Sequence, residues 1–259
     1  MNKVIQEYYP TLYVPICLLE KCFKRRLREL QVYLAMKFYC NGRLELTSDL
    51  KYTLLEDVIL VSSWKTINTA LKKLVENNWI GFKPPNNYYP RSFNTVCQLE
   101  NCNGNQFVEC APDFLYSFRP FSVAAIVSAE IKKHKNQLKN KNLKSRIEES
   151  ANGGSCQSIL KLRSDWMSAN MLSSKLGISK SRAHELKQEA AKNGYISIKA
   201  NRQELSLQTS EVGEFRKLYN GDFWIEPHPK TGKVYVRGPD IITSHIRLKY
   251  RKYMENNRT

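Results

Sequence analysis

What the chain lacks narrows its identity first. No stretch approaches the roughly 20 consecutive apolar residues of a membrane-spanning helix, so no membrane role is expected. The opening MNKVIQEYYPTLYVPICLLEKCFKRR has no basic start, long apolar centre or small-residue cleavage site, and Gln6, Glu7, Pro10 and Pro15 break its apolar residues. A secretory leader is therefore not expected. The 7 cysteines are odd in number and show no framework spacing, which points to reduced thiols and a cytoplasmic location. Three of them, Cys97, Cys102 and Cys110, lie in CQLENCNGNQFVEC. Their spacing fits no common zinc pattern and no histidine is near, so no metal is expected.

Catalytic equipment is equally sparse. Glu56-Asp57 and Glu148-Glu149 are adjacent pairs, which on a helix diverge by about 100° and do not converge on a metal. His245-Ile246-Arg247, near Tyr250 and Tyr253, departs from the His-x-x-Arg of tyrosine recombinases and has no identifiable upstream arginine. His228 lacks the His-x-His of rolling-circle nucleases. PKTGK has neither the preceding glycine nor the length of a phosphate-binding loop. The chain is read as a non-enzyme without cofactor.

Acidic residues are outnumbered, 24 against 41 Lys plus Arg in 259 residues, for a net charge of +17. Such an excess favours polyanions, nucleic acid first and anionic membrane second. A hydrophobic share of 42% is enough for ordinary cores, and the length suits two domains.

Residues 23–40 space Leu27, Leu30, Leu34 and Phe38 on one helical face, and Asn41-Gly42 stops that helix. LEL (44–46) reads as a short strand, SDLKYTLLEDVILV as a second helix and SSWKTINTALKKLVENNWI as a third. GFKPPNNYYPRSF and NTVCQL then read as two extended pieces. Residues 100–120 look irregular. From Phe121 a helix is expected, apolar at first and then rich in Lys132, Lys133, Lys135, Lys139, Lys141, Lys144 and Arg146, either a solvated linker or a phosphate-contacting face. ANGGS (151–155) is the candidate hinge. LSSKLGIS and KSRAHELKQEAAKNGY follow as two helices, ISIKANRQELSLQ as a hairpin around its own Asn turn, FWIEPHPKTGKVYVRGPDII as another around PKTGK, and ITSHIRLKYRKYMENNRT as a basic helix or tail.

An internal repeat organises these pieces. From Ser63, inward positions fall at Ile67, Leu71 and Leu74, and the segment closes on Asn78-Trp79-Ile80; from Ser179 they fall at Ala183, Leu186 and Ala190, closing on Gly194-Tyr195-Ile196. Both serines and both closing triplets are offset by 116 residues. The first copy has Val61 and Asn78 where the second has Gly177 and Gly194, and Asn also tolerates the left-handed conformation at a helix end.

The second copy's Leu172, Leu176, Gly177, Ile178, Ser179, Gly194, Tyr195 and Ile196 resemble the pattern of winged-helix (helix-turn-helix) DNA-binding domains. The resemblance implies an α+β, mainly α fold: an N-terminal winged-helix domain over 1–99, a connecting segment with basic helix and Gly hinge over 100–155, and a C-terminal winged-helix domain with hairpin extension and basic tail over 156–259. Tandem winged helices in a basic chain of this length resemble plasmid and phage replication initiators, in which one module binds origin repeats while the other adds contacts or dimerises. A transcriptional regulator with the same modules and a helicase-loading adaptor are the alternatives. The implied partners are double-stranded DNA, a second copy of the chain, and replication or transcription machinery, at the nucleoid.

The site residues follow from helical geometry. Ser63 and Ser179 cap helices whose first amides can approach phosphate. Opposite the inward side lie Lys65, Thr66, Asn68, Thr69 and Lys72 in the first copy; in the second lie Lys180, Ser181, Arg182, His184, Glu185 and Gln188. Lys reaches guanine or phosphate, and Asn or Gln pairs with adenine. Trp64 is read as a core plug. Lys83 and Arg91 in the first copy, and Lys199 and Arg202 in the second, are the expected wing contacts to the backbone. The less basic second face leaves a protein-contact role open.

Overall fold

The computed structural model describes residues 11–39, 42–52, 63–151, 164–205, 224–227 and 234–250, and side chains over a subset of these. Its elements begin with β1 (Leu12–Pro15) and α1 (Ile16–Phe23), followed by α2 (Leu27–Tyr39), β2 (Leu44–Glu45) and α3 (Ser48–Tyr52). Next come α4 (Trp64–Glu76), β3 (Ile80–Lys83), β4 (Asn87–Pro90), α5 (Phe93–Leu99) and β5 (Gln106–Cys110). A 3-10 turn at Pro112–Leu115 leads into α6 (Phe118–Ala151), then β6 (Ser164–Trp166), α7 (Ala169–Leu176), α8 (Lys180–Lys192) and β7 (Ile196–Leu205). The last strands are β8 (Trp224–Pro227), β9 (Val234–Ser244) and β10 (Leu248–Tyr250). The architecture is α+β, with more of the described residues in helices than in strands.

Two stretches share one topology. In the first, α2 is followed by β2, α3, α4 and the hairpin β3–β4, and the strands pair antiparallel in the order β2-β4-β3. In the second, α6 is followed by β6, α7, α8, β7 and β9, ordered β6-β9-β7, with β8 also paired to β9. Each stretch is built on a helix that contains a run buried on every side. In α2 every residue from Glu29 to Met36 is buried, and in α6 every residue from Phe121 to Ala129.

Polar members of these two helices have partners, as burial demands. Gln31 Nε2 donates to the Leu115 carbonyl at 2.7 Å, Tyr33 Oη to the Arg91 carbonyl at 2.6 Å, and Glu29 pairs with Lys73 at 3.1 Å. Ser122 and Ser128 donate back to carbonyls four residues earlier. One hydrophobic core runs through both stretches. A third sheet, β1-β5-β10, joins the start of the described chain to its end.

Several segments differ from the sequence reading. ICLLEKCF forms α1, since Ile16, Leu18, Leu19, Cys22 and Phe23 all find the core. NTVCQL is helical within α5, because Ser92 caps it by accepting from the Thr95 amide and Val96 is buried. Residues 100–120 hold β5 and the 3-10 turn. ISIKANRQEL is no hairpin of its own; it is one strand paired with β9, with an irregularity between Lys199 and Asn201. ITSHIRLKY continues β9 and then forms β10 in place of a helix. Within 100–155, β5 pairs with β1 and α6 packs against α8. The β8–β9 pairing matches the expected hairpin around PKTGK, whose turn lies outside the described residues, as do Glu56-Asp57, the 152–155 part of the hinge and His228.

Candidate nucleic-acid interface

The repeat is reproduced at the level of individual hydrogen bonds. α4 and α8 are each 13 residues long and preceded by an extended Ser, Ser63 accepting from the Lys65 amide and Ser179 from the Arg182 amide. At the far ends, Asn77 Nδ2 donates to the Lys73 carbonyl at 2.7 Å, and Asn193 Nδ2 to the Glu189 carbonyl at 2.8 Å. Trp79 N then donates to Leu74 O at 2.9 Å and Tyr195 N to Ala190 O at 3.0 Å, the six-to-one bond of a Schellman motif. The strands open identically too: Arg91 N donates to Trp79 O, and His245 N to Tyr195 O, both at 3.0 Å. These helix-end residues pack differently. Trp79 is fully buried, its Nε1 on Glu100 at 2.8 Å and Arg26 over its ring at 4.7 Å. Tyr195 is half-buried, hydrogen-bonds to Ser117 and lies edge-on to Phe114 and Phe121.

The expected inward residues are inward. Ile67, Leu71, Leu74, Ala183, Leu186 and Ala190 are all buried, and Trp64 packs half-buried against the core. Ser63, Lys65, Thr66, Asn68, Thr69 and Lys72 are all exposed. Among the described residues, the Lys65 and Asn68 side chains make no hydrogen bond or ion pair. Thr69 Oγ1 donates to the Lys65 carbonyl at 2.9 Å, so its hydroxyl proton is engaged while the oxygen can still accept. Lys72 meets Glu76 at 4.0 Å with both side chains well exposed, a contact worth little in water. This outer face of α4 is polar, cationic and largely uncommitted.

The outer face of α8 is exposed as well at Lys180, Ser181, His184, Glu185 and Gln188, but its electrostatics differ. Arg182 is half-buried and donates to Glu185 at 2.7 Å and Glu189 at 3.4 Å. The Glu185 hydrogen bond leads in holding its guanidinium above even the usual arginine range, with Glu189 adding to it. Expected as a DNA contact, Arg182 is engaged within its own helix. One position earlier than the outward Gln188, Lys187 is buried and its Nζ meets Asp240 Oδ2 at 2.6 Å, fastening α8 to β9.

Of the expected wing residues, Lys83 is exposed at the end of β3, next to the turn of residues 84–86. Arg91 is exposed just past β4, at the base of the hairpin, since its own amide bonds to Trp79. Lys199 is exposed at the irregularity in β7, and Arg202 lies opposite Arg237 in the β7–β9 ladder. Sequence reasoning missed Phe82, 45% exposed on β3 and against Tyr88 at 4.9 Å between ring centroids. Its parity matches buried Ile80, but the hairpin has by then run past the core. His245 donates or accepts at Ser197 Oγ across 2.7 Å, and Tyr250 Oη accepts from Gln106 at 3.4 Å, so these two engage separate partners; Tyr253 lies outside the described residues.

No helix among the described residues is long and apolar enough to cross a membrane. Comparison with known proteins finds no matching family model, no similar curated protein and no similar solved structure.

Proposed function

We propose that the chain belongs to the class of double-stranded DNA-binding proteins that read sequence with two winged-helix units, one built on α2–β4 and one on α6–β9. Within that class we read it as a replication initiator of a plasmid or phage, acting at the nucleoid without cofactor or catalysis of its own. The observation that carries the reading is the outer face of α4. Lys65, Asn68 and Lys72 stand exposed on a helix whose opposite side is sealed into the core, the disposition that lets side chains meet base edges in a major groove. A net charge of +17 adds the non-specific attraction to phosphate that precedes reading. Lys83, exposed at the end of β3, would add a phosphate contact from the hairpin.

The internal neutralisation of Arg182 favours a different task for α8: contact with a second copy of the chain or with replication machinery, with DNA contact subordinate. Selection of duplexes from a random pool, followed by footprinting, tests the whole reading. Direct repeats are the outcome expected of an initiator. A single palindrome would move the assignment to a transcriptional regulator, and absence of salt-dependent duplex binding would leave a protein adaptor.

A further inference from the structure

Among the described residues, the three sulfurs that lie together in the fold are not the three that lie close in sequence. Helix α5 ends with Asn101 at φ 50°, Asn101 N donating to Gln98 O at 3.1 Å and Cys102 N to Cys97 O at 2.9 Å. In this Schellman ending the residue after the left-handed one packs on the residue five before it, so a Cys-x4-Cys spacing sets Cys97 and Cys102 side by side. Cys17, in the first turn of α1, completes the group, and all three Sγ atoms lie within 4.8 Å of one another. The loop after Cys102 closes tightly over Cys17. A Cβ on Gly104 would stand 3.2 Å from Cys17 Cβ and 3.3 Å from its Sγ, room that glycine leaves. Cys17 and Cys97 are half-buried and Cys102 is buried, so the group is backed by protein yet reachable from solvent. Cys110 stands apart: burial pushes its thiol up, and its Sγ lies 3.7 Å from the Ala111 carbonyl.

We propose that Cys17, Cys97 and Cys102 bind one zinc-class divalent cation as a trithiolate, with water or a small solvent donor in the fourth position. Tetrahedral zinc–sulfur bonds of about 2.3 Å place sulfurs about 3.8 Å apart, so no pair has to close by more than about 1 Å. On binding, three S–H bonds break, three metal–sulfur bonds form and three protons leave to solvent; no oxidant takes part. The ion clips α1 to the end of α5 and so ties the β1–α1 layer to the unit carrying α4. This site is independent of the DNA-binding reading.

The test is titration of the full-length, reduced chain with Co2+, then with Zn2+. One Co2+ per chain with a thiolate-to-cobalt charge-transfer band is expected, displaced by Zn2+, absent in Cys97→Ser and Cys17→Ser and retained in Cys110→Ser. On the wild-type chain, Zn2+ should shield Cys17, Cys97 and Cys102 from alkylation while Cys110 reactivity is unchanged, a readout that needs no variant to fold. No charge-transfer band from the reduced wild type, a band that survives Cys97→Ser, or alkylation of Cys17 and Cys97 undiminished by Zn2+ would each overturn the assignment.

Discussion

Asn78 and Gly194, 116 residues apart, occupy the same place in the two repeats, with φ of 58° and 73°. Each ends a long helix and turns the chain into a strand. The left-handed region costs an ordinary L-residue about 1–2 kcal/mol, and a β-branched side chain suffers most. Asn78→Gly should therefore leave stability unchanged or slightly raised, whereas Asn78→Val and Gly194→Val should each lose about 1–2 kcal/mol in urea unfolding. Equal stability of the Gly and Val variants at position 78 would mean that this turn does not depend on its backbone conformation.

The pairing of Lys187 with Asp240 is asymmetric, and the asymmetry is measurable. The Lys187 side chain is 2% exposed and that of Asp240 15%. Removing the carboxylate strands an ammonium with no access to water, the case that costs about 3–5 kcal/mol. Removing the ammonium leaves a carboxylate at the rim that water can reach. Asp240→Ala should thus destabilise the chain more than Lys187→Met, as read by the denaturant midpoint; the reverse order would mean that the pair is not the element fastening α8 to β9.

What could be read from the sequence was local. Ser63, Ser179, Asn78 and Gly194 act on hydrogen bonds within a few residues of themselves, so helix ends and the 116-residue offset were legible. The inward positions of α4 and α8 follow from helical period alone. What escaped is long-range pairing. The partner of β7 is β9, across a connection from 206 to 233, so Asn201 looked like the turn of a local hairpin. Cys17 meets Cys97 only because α1 folds against the end of α5. Arg182 was counted as a DNA contact without regard to Glu185 and Glu189, which three and seven residues on share its helical face and hold it. NTVCQL was read as an extended piece beside Pro- and Asn-rich turns, and the Ser92 cap makes it helical instead.

Lys175 gives a pH-dependent test of how α7 is anchored. Its ammonium meets Glu130 at 2.6 Å and Glu20 at 3.0 Å. Burial works against its charge, but the two glutamates more than offset it and raise its pKa above the ordinary value. A raised folded pKa means stabilisation that is complete below the unfolded value, about 10.4, and is lost as pH rises through the folded one. The difference in Tm between wild type and Lys175→Met should stay constant from neutral pH to about pH 10 and shrink above it. A difference that grew with alkali would reverse the sign of the coupling.

The DNA-binding reading makes a prediction in which salt and sequence separate. If Lys65 and Lys72 neutralise phosphates, Lys65→Ala and Lys72→Ala should each flatten the slope of log K against log salt by about 0.9 and weaken binding to all duplexes alike. Should either lysine reach a guanine instead, its slope would stay and one base preference would go. Asn68 carries no charge, so Asn68→Ala should leave the slope intact and relax discrimination at one base pair by about 1–3 kcal/mol. Gln188→Ala on α8 is the internal control. With Arg182 held by Glu185 and Glu189, that helix is the weaker competitor for a groove, and the substitution should leave specificity unchanged. Loss of specificity in Gln188→Ala together with an unaffected Asn68→Ala would exchange the roles of the two units, making α8 the reading helix and α4 the accessory one.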